Sequence, residues 1–550
     1  MTGPADRVWD RRRRAKHERI SAVGGFVDGK LVRPDKLGQM LEVVIRSGDR
    51  VALEGDNQKQ ADFLSRTLAG CDPERLNGLH MLIGSVSRAE HLDLFERGLA
   101  EKLDLAYAGP QSVRTAQLVQ DGTVKIGAIH TYVELYARFF TDLTPDVALL
   151  CAVQADRDGN LYTGPNTEDT PTIVEAVAFR DGVVLVQANE IVDVGKLPRV
   201  DIPGDWVDFV VEADRPFYLE PLFTRDPRHI DDVTVLQAMI ALRGVYERHE
   251  VVSLNHGVGF DTAAIELILP TYGAALGLKG KIARQWALNP HPTLIPAIES
   301  GWVESIHSFG GESGMDAYTA ARPDIYFTGR DGSLRSNRVF CQLAGQYALD
   351  MFIGSTLQID RDANSSTVTD GRLSGFGGAP NMGHDPRGRR HSSPAWLQLA
   401  HGEGASRRGR KLVVQMIQTF QKSGTPTFVE SLDAVDVGRQ VGMPLAPVMI
   451  YGDDISHVVT EEGVAYLYKA SSLQERREAL AAVAGVTEVG RSLPAKRAEE
   501  LRRDGLVAFP EDLKVEVRKA NRSLLAARSI GDLVAWSGGL YDPPAKFRDW

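Results

Sequence analysis

Two segments some two hundred residues apart share one design, and this repetition constrains the fold more than any other feature of the chain. Val51-Ala52-Leu53 is a short apolar run followed by the polar turn Gly55-Asp56-Asn57-Gln58-Lys59-Gln60, and a helical pattern starts near Ala61. Val251-Val252-Ser253-Leu254 is followed by Asn255-His256-Gly257-Val258-Gly259. A helix follows over Ala263-Ala264-Ile265-Glu266-Leu267, with Asp261 or Thr262 placed to cap it. A buried strand, a turn rich in Gly and Asn, and a helix make the opening unit of an α/β layer. Two such units predict two similar α/β halves. Further continuous apolar runs, Val147 to Leu150, Val183 to Val186, Val207 to Val211, Ile325-Tyr326-Phe327 and Leu412-Val413-Val414, suit parallel strands covered on both faces.

At 550 residues the chain exceeds one compact core, and 43% hydrophobic with 25% charged residues is an ordinary globular composition. The polar stretch Phe223-Thr224-Arg225-Asp226-Pro227 marks the joint between halves. The expected domains are 1–222, 223–480 and a charged, helical extension over 481–550. Residues 382–411, rich in Gly, Arg and His, read as a long loop or a binding surface.

A formal net charge of −10 argues against a nucleic-acid binder but leaves room for local basic pockets. Cys71, Cys151 and Cys341 lie far apart with no CxxC, so neither a disulfide framework nor a thiolate zinc site is readable. No apolar stretch approaches the roughly 18 residues that span a bilayer. The run Arg11-Arg12-Arg13-Arg14 lacks the apolar core of a secretory signal and reads as a solvated helix face. These features predict a cytoplasmic protein without a membrane partner.

There is no GxxxxGK[ST], HExxH or GxSxG. Gly257-Val258-Gly259 fits only part of a dinucleotide fingerprint, because position 262 is Thr. Gly375-Phe376-Gly377-Gly378-Ala379-Pro380-Asn381 is either a surface turn or a loop whose backbone approaches a ligand and aims N–H groups at an oxyanion. Asn364-Ser365-Ser366-Thr367 offers hydroxyls and amides, or simply caps a turn. Glu312, within Gly310-Gly311-Glu312-Ser313-Gly314, reads better as an ordinary acid at a helix start than as a nucleophile. His130, His256 and His291 stand near strand ends as candidate proton carriers, without metal-ligand spacing.

Taken in order, several segments resemble the class I coenzyme A transferase superfamily. They are Pro145 to Leu149 with Asp156 to Asn160, Val186 to Glu190 with Pro198-Arg199, Asn255 to Gly259, Asn364 to Asn381, and Thr460 to Ala465. Within it, Glu54 to Phe63, Gly164 to Pro171 and Phe327 to Ser333 are most similar to the malonate decarboxylase alpha-subunit family; citrate lyase alpha subunits look more distant. The resemblance implies an acyl-carrier-protein transferase that exchanges acetyl for malonyl on a carrier thioester, using malonate and releasing acetate. It implies partner subunits that decarboxylate malonyl thioester and a carrier bearing a dephospho-CoA-derived arm, with no cofactor of the chain's own. Where many class I transferases carry a nucleophilic glutamate, this sequence aligns Asn289, so a mixed-anhydride route without a glutamyl enzyme is expected. The candidate catalytic residues are then Asn289, His291, Gly257, Gly259, Gly377 and Gly378; those for the substrate or CoA-like arm are Asn57, Gln58, Asn255, Asn364, Ala379 and Asn381. Arg387, Arg389 and Arg390 carry charge suited to a pyrophosphate. The competing readings are a free-standing acetyl-CoA:carboxylate transferase, or a citrate-lyase-alpha-like subunit, and a scaffold that binds the carrier without chemistry.

Overall fold

The apolar runs become strands buried on both sides. The computed structural model describes residues 8–55, 59–334, 349–384 and 411–549. The first sheet contains β1 (Val27–Asp28), β2 (Leu31–Val32), β3 (Arg50–Leu53), β4 (Leu79–Ser85), β5 (Ala100–Tyr107), β6 (Lys125–Ile129), β7 (Val147–Asp156), β8 (Leu161–Tyr162), β9 (Val183–Val192) and β10 (Phe209–Glu212). Its order is β1-β2-β10-β9-β7-β3-β4-β5-β6, with β8 paired to β7. Alternate residues feed separate cores. Val51, Leu53, Leu149 and Leu185 enter one apolar cluster, while Ala52, Ala148, Leu150 and Val186 enter another on the opposite face. A strand covered this way has no polar side, which is why periodicity of two is invisible in its sequence.

The second half contains β11 (Ser253–His256), β12 (Gln285–Ala287), β13 (Ser305–His307) and β14 (Met351–Gly354). Two small hairpins follow, β15 (Gln358–Ile359) with β16 (Ser365–Ser366) and β17 (Val368–Thr369) with β18 (Arg372–Leu373). The half is completed by β19 (Leu412–Met416), β20 (His457–Val459), β21 (Val464–Ala465) and β22 (Val507–Ala508). Its sheet runs β13-β12-β11-β14-β19-β20-β21-β22. The stretches β5-β4-β3-β7-β9-β10 and β13-β12-β11-β14-β19-β20 have the same topology, and every neighbouring pair in both is parallel. In these two stretches the chain builds outward from β3 or β11 and then returns to that strand's other side. The order therefore reverses between β3 and β7, and again between β11 and β14. Such reversals leave a crevice at the carboxyl ends of the strands.

The tail is helical, with helices at Leu473–Ala482, Glu488–Arg491, Ala495–Arg503 and Ile530–Trp536, and it also supplies β22. Ile530, Leu533 and Tyr541 are buried in the second core. The arginine run lies on a helix, Val8–Ala22, that is not wholly solvated. Arg12 donates to Asp146 Oδ1 at 3.0 Å and to Pro145 O at 2.7 Å, tying the helix to the start of β7.

Two expectations fail locally. Ile325-Tyr326-Phe327 is no strand: only Tyr326 bridges, to Ile306, and Phe327 is 78% exposed. Neither Asp261 nor Thr262 caps the helix Phe260–Ile268, whose N-cap is Gly259. Asp261 instead accepts from Ser355 Oγ at 2.6 Å, and Thr262 Oγ1 donates to Gly257 O at 2.7 Å, so these side chains tie the turn together rather than cap it. Asn57, Gln58, Cys341, Arg387, Arg389 and Arg390 lie outside the described residues.

Candidate active site

The two crevices differ in what fills them. In the first half, Glu54 follows β3 and is 1% exposed; it accepts from Thr170 Oγ1 and from the Cys151 N–H at 2.8 Å. Its own side chain occupies the reversal point. In the second half the turn after β11 has no side chain at Gly257. A Cβ there would stand 3.0 Å from the Gly354 Cα at the end of β14. What remains is a cavity of about 310 Å³ at the ends of β11 and β14.

Its walls come from both halves. Tyr107 and Tyr132 enter from the first half, Phe223 and Arg225 from the joint, Asn255, Asn289 and His291 from the second half, and Gly375 to Ala379 close one side. The glycine loop is stitched to β5. The N–H groups of Phe376 and Gly377 both donate to Ala106 O, at 2.8 and 2.9 Å, and Ala108 N donates to Ser374 O at 2.8 Å. Gly375 has φ +73°, and a Cβ on it would meet Ala106 O at 2.5 Å. Close backbone approach is thus real at Gly375, but its first partner is the other half of the protein.

This packing corrects part of the expected donor set. Gly377 N–H is engaged by Ala106 O, and Gly257 N–H donates to Ile353 O at 2.7 Å, so neither is available to an oxyanion. Gly259 caps a helix and does not line the cavity. Among the described residues, the N–H groups of Val258 and Gly378, both in the wall, meet no acceptor. Asn364 is a turn residue: Nδ2 donates to Asp360 Oδ2 at 3.0 Å and Oδ1 accepts from Gly452 N at 2.9 Å, away from the cavity. Asn381 also lies outside the lining, whereas Ala379 and Asn255 belong to it. Asn255 Nδ2 is held by Ala287 O at 2.6 Å.

The three histidines separate cleanly. His130 is buried in the first half, bonded to Asp104 at 2.6 Å and remote from the cavity lining. His256 is buried with both nitrogens used, Nε2 by Tyr246 Oη at 2.6 Å and Nδ1 by Glu266 Oε1 at 2.9 Å. His291 also places Nδ1 on Glu266 Oε1, at 2.9 Å, but its Nε2 is buried without a partner. Its ring stacks on Phe223 with centroids 5.3 Å apart. Glu266 is fully buried and accepts a third bond, from Thr293 Oγ1 at 2.5 Å. Burial alone would raise this carboxyl; His291 and His256 outweigh it and hold it well below the usual carboxylate range. With the carboxylate as acceptor, both imidazoles carry hydrogen at Nδ1, so His291 offers Nε2 to whatever enters the cavity.

Asn289 is buried in the same wall, its Nδ2 donating to Gly311 O at 3.0 Å. Glu312 is a clamp: Oε1 accepts from Thr224 N at 2.9 Å and Thr224 Oγ1 at 2.8 Å, and the residue is absent from the lining. Among the described residues no aspartate or glutamate lines the cavity, and no group of three or more His, Cys, Asp or Glu could hold a metal. No helix there is long and apolar enough to cross a membrane. Sequence reasoning missed Glu266 and Arg225. The first had a signal, a lone carboxylate within the apolar run Ala263 to Ile268. The second was hidden in a stretch read as a joint.

The comparisons with known proteins agree with one another over the whole length. The family described as malonate decarboxylase, alpha subunit, transporter matches residues 8–550. An acetyl-S-ACP:malonate ACP transferase of Malonomonas rubra is 56% identical over 553 residues, covering 99% of this chain and all of that one. The crystal structure of a Pseudomonas malonate decarboxylase hetero-tetramer in complex with malonate is similar with a TM-score of 0.94 and 65% identity, covering 98% of this chain and 99% of the other. A malonate decarboxylase alpha subunit from Acinetobacter baumannii is similar with a TM-score of 0.93 and 62% identity, covering 98% of this chain and 100% of the other. By sequence match and by fold, the chain belongs to the malonate decarboxylase alpha-subunit family.

Proposed function

We propose that this chain is an acyl-carrier-protein transferase, exchanging acetyl for malonyl on a carrier-protein thioester within a multisubunit malonate decarboxylase of the cytoplasm. The observation that carries this reading is the cavity wall: a histidine held by a buried glutamate shares the lining with unpaired backbone N–H groups, with no carboxylate among the described lining residues. The name of the Malonomonas rubra relative and the hetero-tetramer of the Pseudomonas relative support the activity and the assembly.

The chemistry balances without a covalent enzyme. A malonate carboxylate oxygen attacks the acetyl carbonyl carbon, the C–S bond breaks, and a mixed anhydride and a carrier thiolate form. The thiolate attacks the malonyl carbonyl carbon, the C–O bond breaks, and acetate leaves. Both steps pass through an oxyanion, for which the N–H groups of Val258 and Gly378 are our assigned donors. One such donor contributes about 3 kcal/mol to barrier lowering. His291, its ring fixed by Glu266, is our assigned positioning group for the thioester arm in the cavity, and Asn289 is assigned to orient the attacking carboxylate. The apolar faces of Phe223 and Phe309 in the wall exclude water, which would otherwise hydrolyse the anhydride. The carrier's dephospho-CoA-derived arm enters as substrate, past Ala379 and Asn255. We take 1–222, 223–480 and 481–550 as the domain units, with the cavity where the first two meet.

The test is acyl exchange by the full chain with an acetyl thioester on the carrier or on free CoA and isotopically labelled malonate, followed by mass spectrometry. Labelled malonyl thioester, with no reduced glutamate after borohydride, is the expected result. A reduced glutamate would overturn the anhydride route. Equal turnover on free CoA would favour a free-standing CoA transferase, and no exchange with the carrier supplied would favour a scaffold.

A further inference from the structure

Two cations line the cavity among the described residues, and they differ in setting. Arg372 is exposed at the rim, with Nε donating to Ser374 Oγ at 3.1 Å. Arg225 is drawn inward. Its Nη1 donates to the carbonyls of Leu222 at 2.5 Å and Thr224 at 2.9 Å. Among the described residues, its Nε and Nη2 have no acceptor and no carboxylate pairs with it. Burial pulls this guanidinium below its ordinary value, and the more distant charges of Tyr107, Glu312, Glu266 and Glu220 only partly offset that. A desolvated cation without a counter-ion is costly unless a ligand brings the anion.

The backbone that carries Arg225 is fixed. Thr224 is bonded to Glu312 on one side and lies 3.2 Å from Tyr541 Oη of the C-terminal tail on the other. Asp226 accepts from the Arg228 N–H at 2.9 Å. With Nη1 committed to the main chain, the Nε/Nη2 edge keeps two parallel donors, the arrangement that matches a carboxylate bidentately.

We propose that Arg225 selects the acceptor acid, its Nε/Nη2 edge holding the carboxylate of a dicarboxylate that does not react. The inference rests on the transferase reading above. In that exchange one carboxylate oxygen of the acceptor bonds to the acyl carbon as the C–S bond breaks, while the second carboxylate is unchanged throughout. That second carboxylate is all that distinguishes the incoming acid from the departing acetate. A cavity that retains one and releases the other needs a countercharge, and Arg225 is the inward one.

The test uses the full chain and its Arg225→Met and Arg225→Lys variants, with circular dichroism to confirm folding. Malonate and propionate, each isotopically labelled, serve as acceptors from one acetyl thioester, and calorimetry reads malonate binding directly. Arg225→Met is expected to raise the KM for malonate about 100-fold and to leave exchange into propionate within about twofold. Arg225→Lys, which keeps a charge but not the fork, is expected to fall between. Parallel loss of malonate and propionate transfer, an unchanged malonate KM, or equal affinity of the parent for the two acids would overturn the proposal. If the parent exchanges neither acid, the transferase reading falls; weaker malonate binding by Arg225→Met would still support the carboxylate site, and unchanged binding would remove it.

Discussion

Replacing Glu266 by Gln tests the centre of the site with almost no change of volume. Glu266 Oε1 receives the Nδ1–H of His256 and of His291, both at 2.9 Å, and Oε2 receives Thr293 Oγ1. The amide keeps one acceptor oxygen but loses the charge, so each imidazole bond falls from charge-assisted to neutral. Hydrogen bonds to charged groups contribute about 1.5–3 kcal/mol net, against about 1 for neutral pairs. Taking about 2 kcal/mol as the loss at His291, the expected fall in kcat is about 30-fold. The KM for the thioester should stay nearly constant, because Glu266 does not line the cavity. The assay is initial-rate transfer to labelled malonate, with kcat and KM resolved separately. A purely packing role would show as a lower melting temperature with kcat intact. A folded Glu266→Gln chain with kcat within about twofold of the parent would refute the dyad. A second readout follows from the depressed carboxyl. Its folded value lies below the ordinary 4.5, so the stability it contributes is complete above that pH and is lost as the pH falls further. Glu266→Gln should therefore flatten the acid limb of the denaturation midpoint.

Three further outcomes follow from the same reasoning. Gly375→Ala places a Cβ 2.5 Å from Ala106 O at φ +73°, so the loop should part from β5 and transfer should drop more than about tenfold; unchanged transfer would refute the stitched-loop reading. Asn289→Ala removes the bond to Gly311 O and should lower kcat about tenfold, and an unaltered rate would remove Asn289 from the machinery. His91, fully buried with neither ring nitrogen bonded, is pushed down to about 3 by burial and by Arg88. The unfolded chain takes up this proton near pH 6.5, so stability from this group is lost as pH falls from there toward 3. His91→Leu should reduce the difference between urea midpoints at pH 7 and pH 5, and an unchanged difference would count against it.

What the sequence by itself determined is the layered α/β fold and its doubling. Apolar runs such as Val147 to Leu150 and the strand–turn–helix units after Val51 and Val251 are local patterns, dictated by which side chains a doubly covered sheet accepts. His291 and the glycine loop were legible as chemistry-bearing residues for the same reason, since their types and turns are local facts, whereas Asn289 was marked only by the resemblance to class I coenzyme A transferases. The tertiary structure decided which of them can act. Gly257 and Gly377 look like free donors in sequence, yet their N–H groups face Ile353 O and Ala106 O, partners some ninety-six and two hundred and seventy-one residues away. His256 and His291 look equivalent, and only the placement of Glu266 and Tyr246 around them leaves one nitrogen open. Arg225 looks like part of a polar joint, and becomes the inward cation of the cavity because Glu312 of the second half and Tyr541 of the tail hold that joint in place. Strand and helix formation depend on near neighbours along the chain. The availability of a donor, a base or a cation depends on whether a distant partner has already taken it, and only the folded chain settles that.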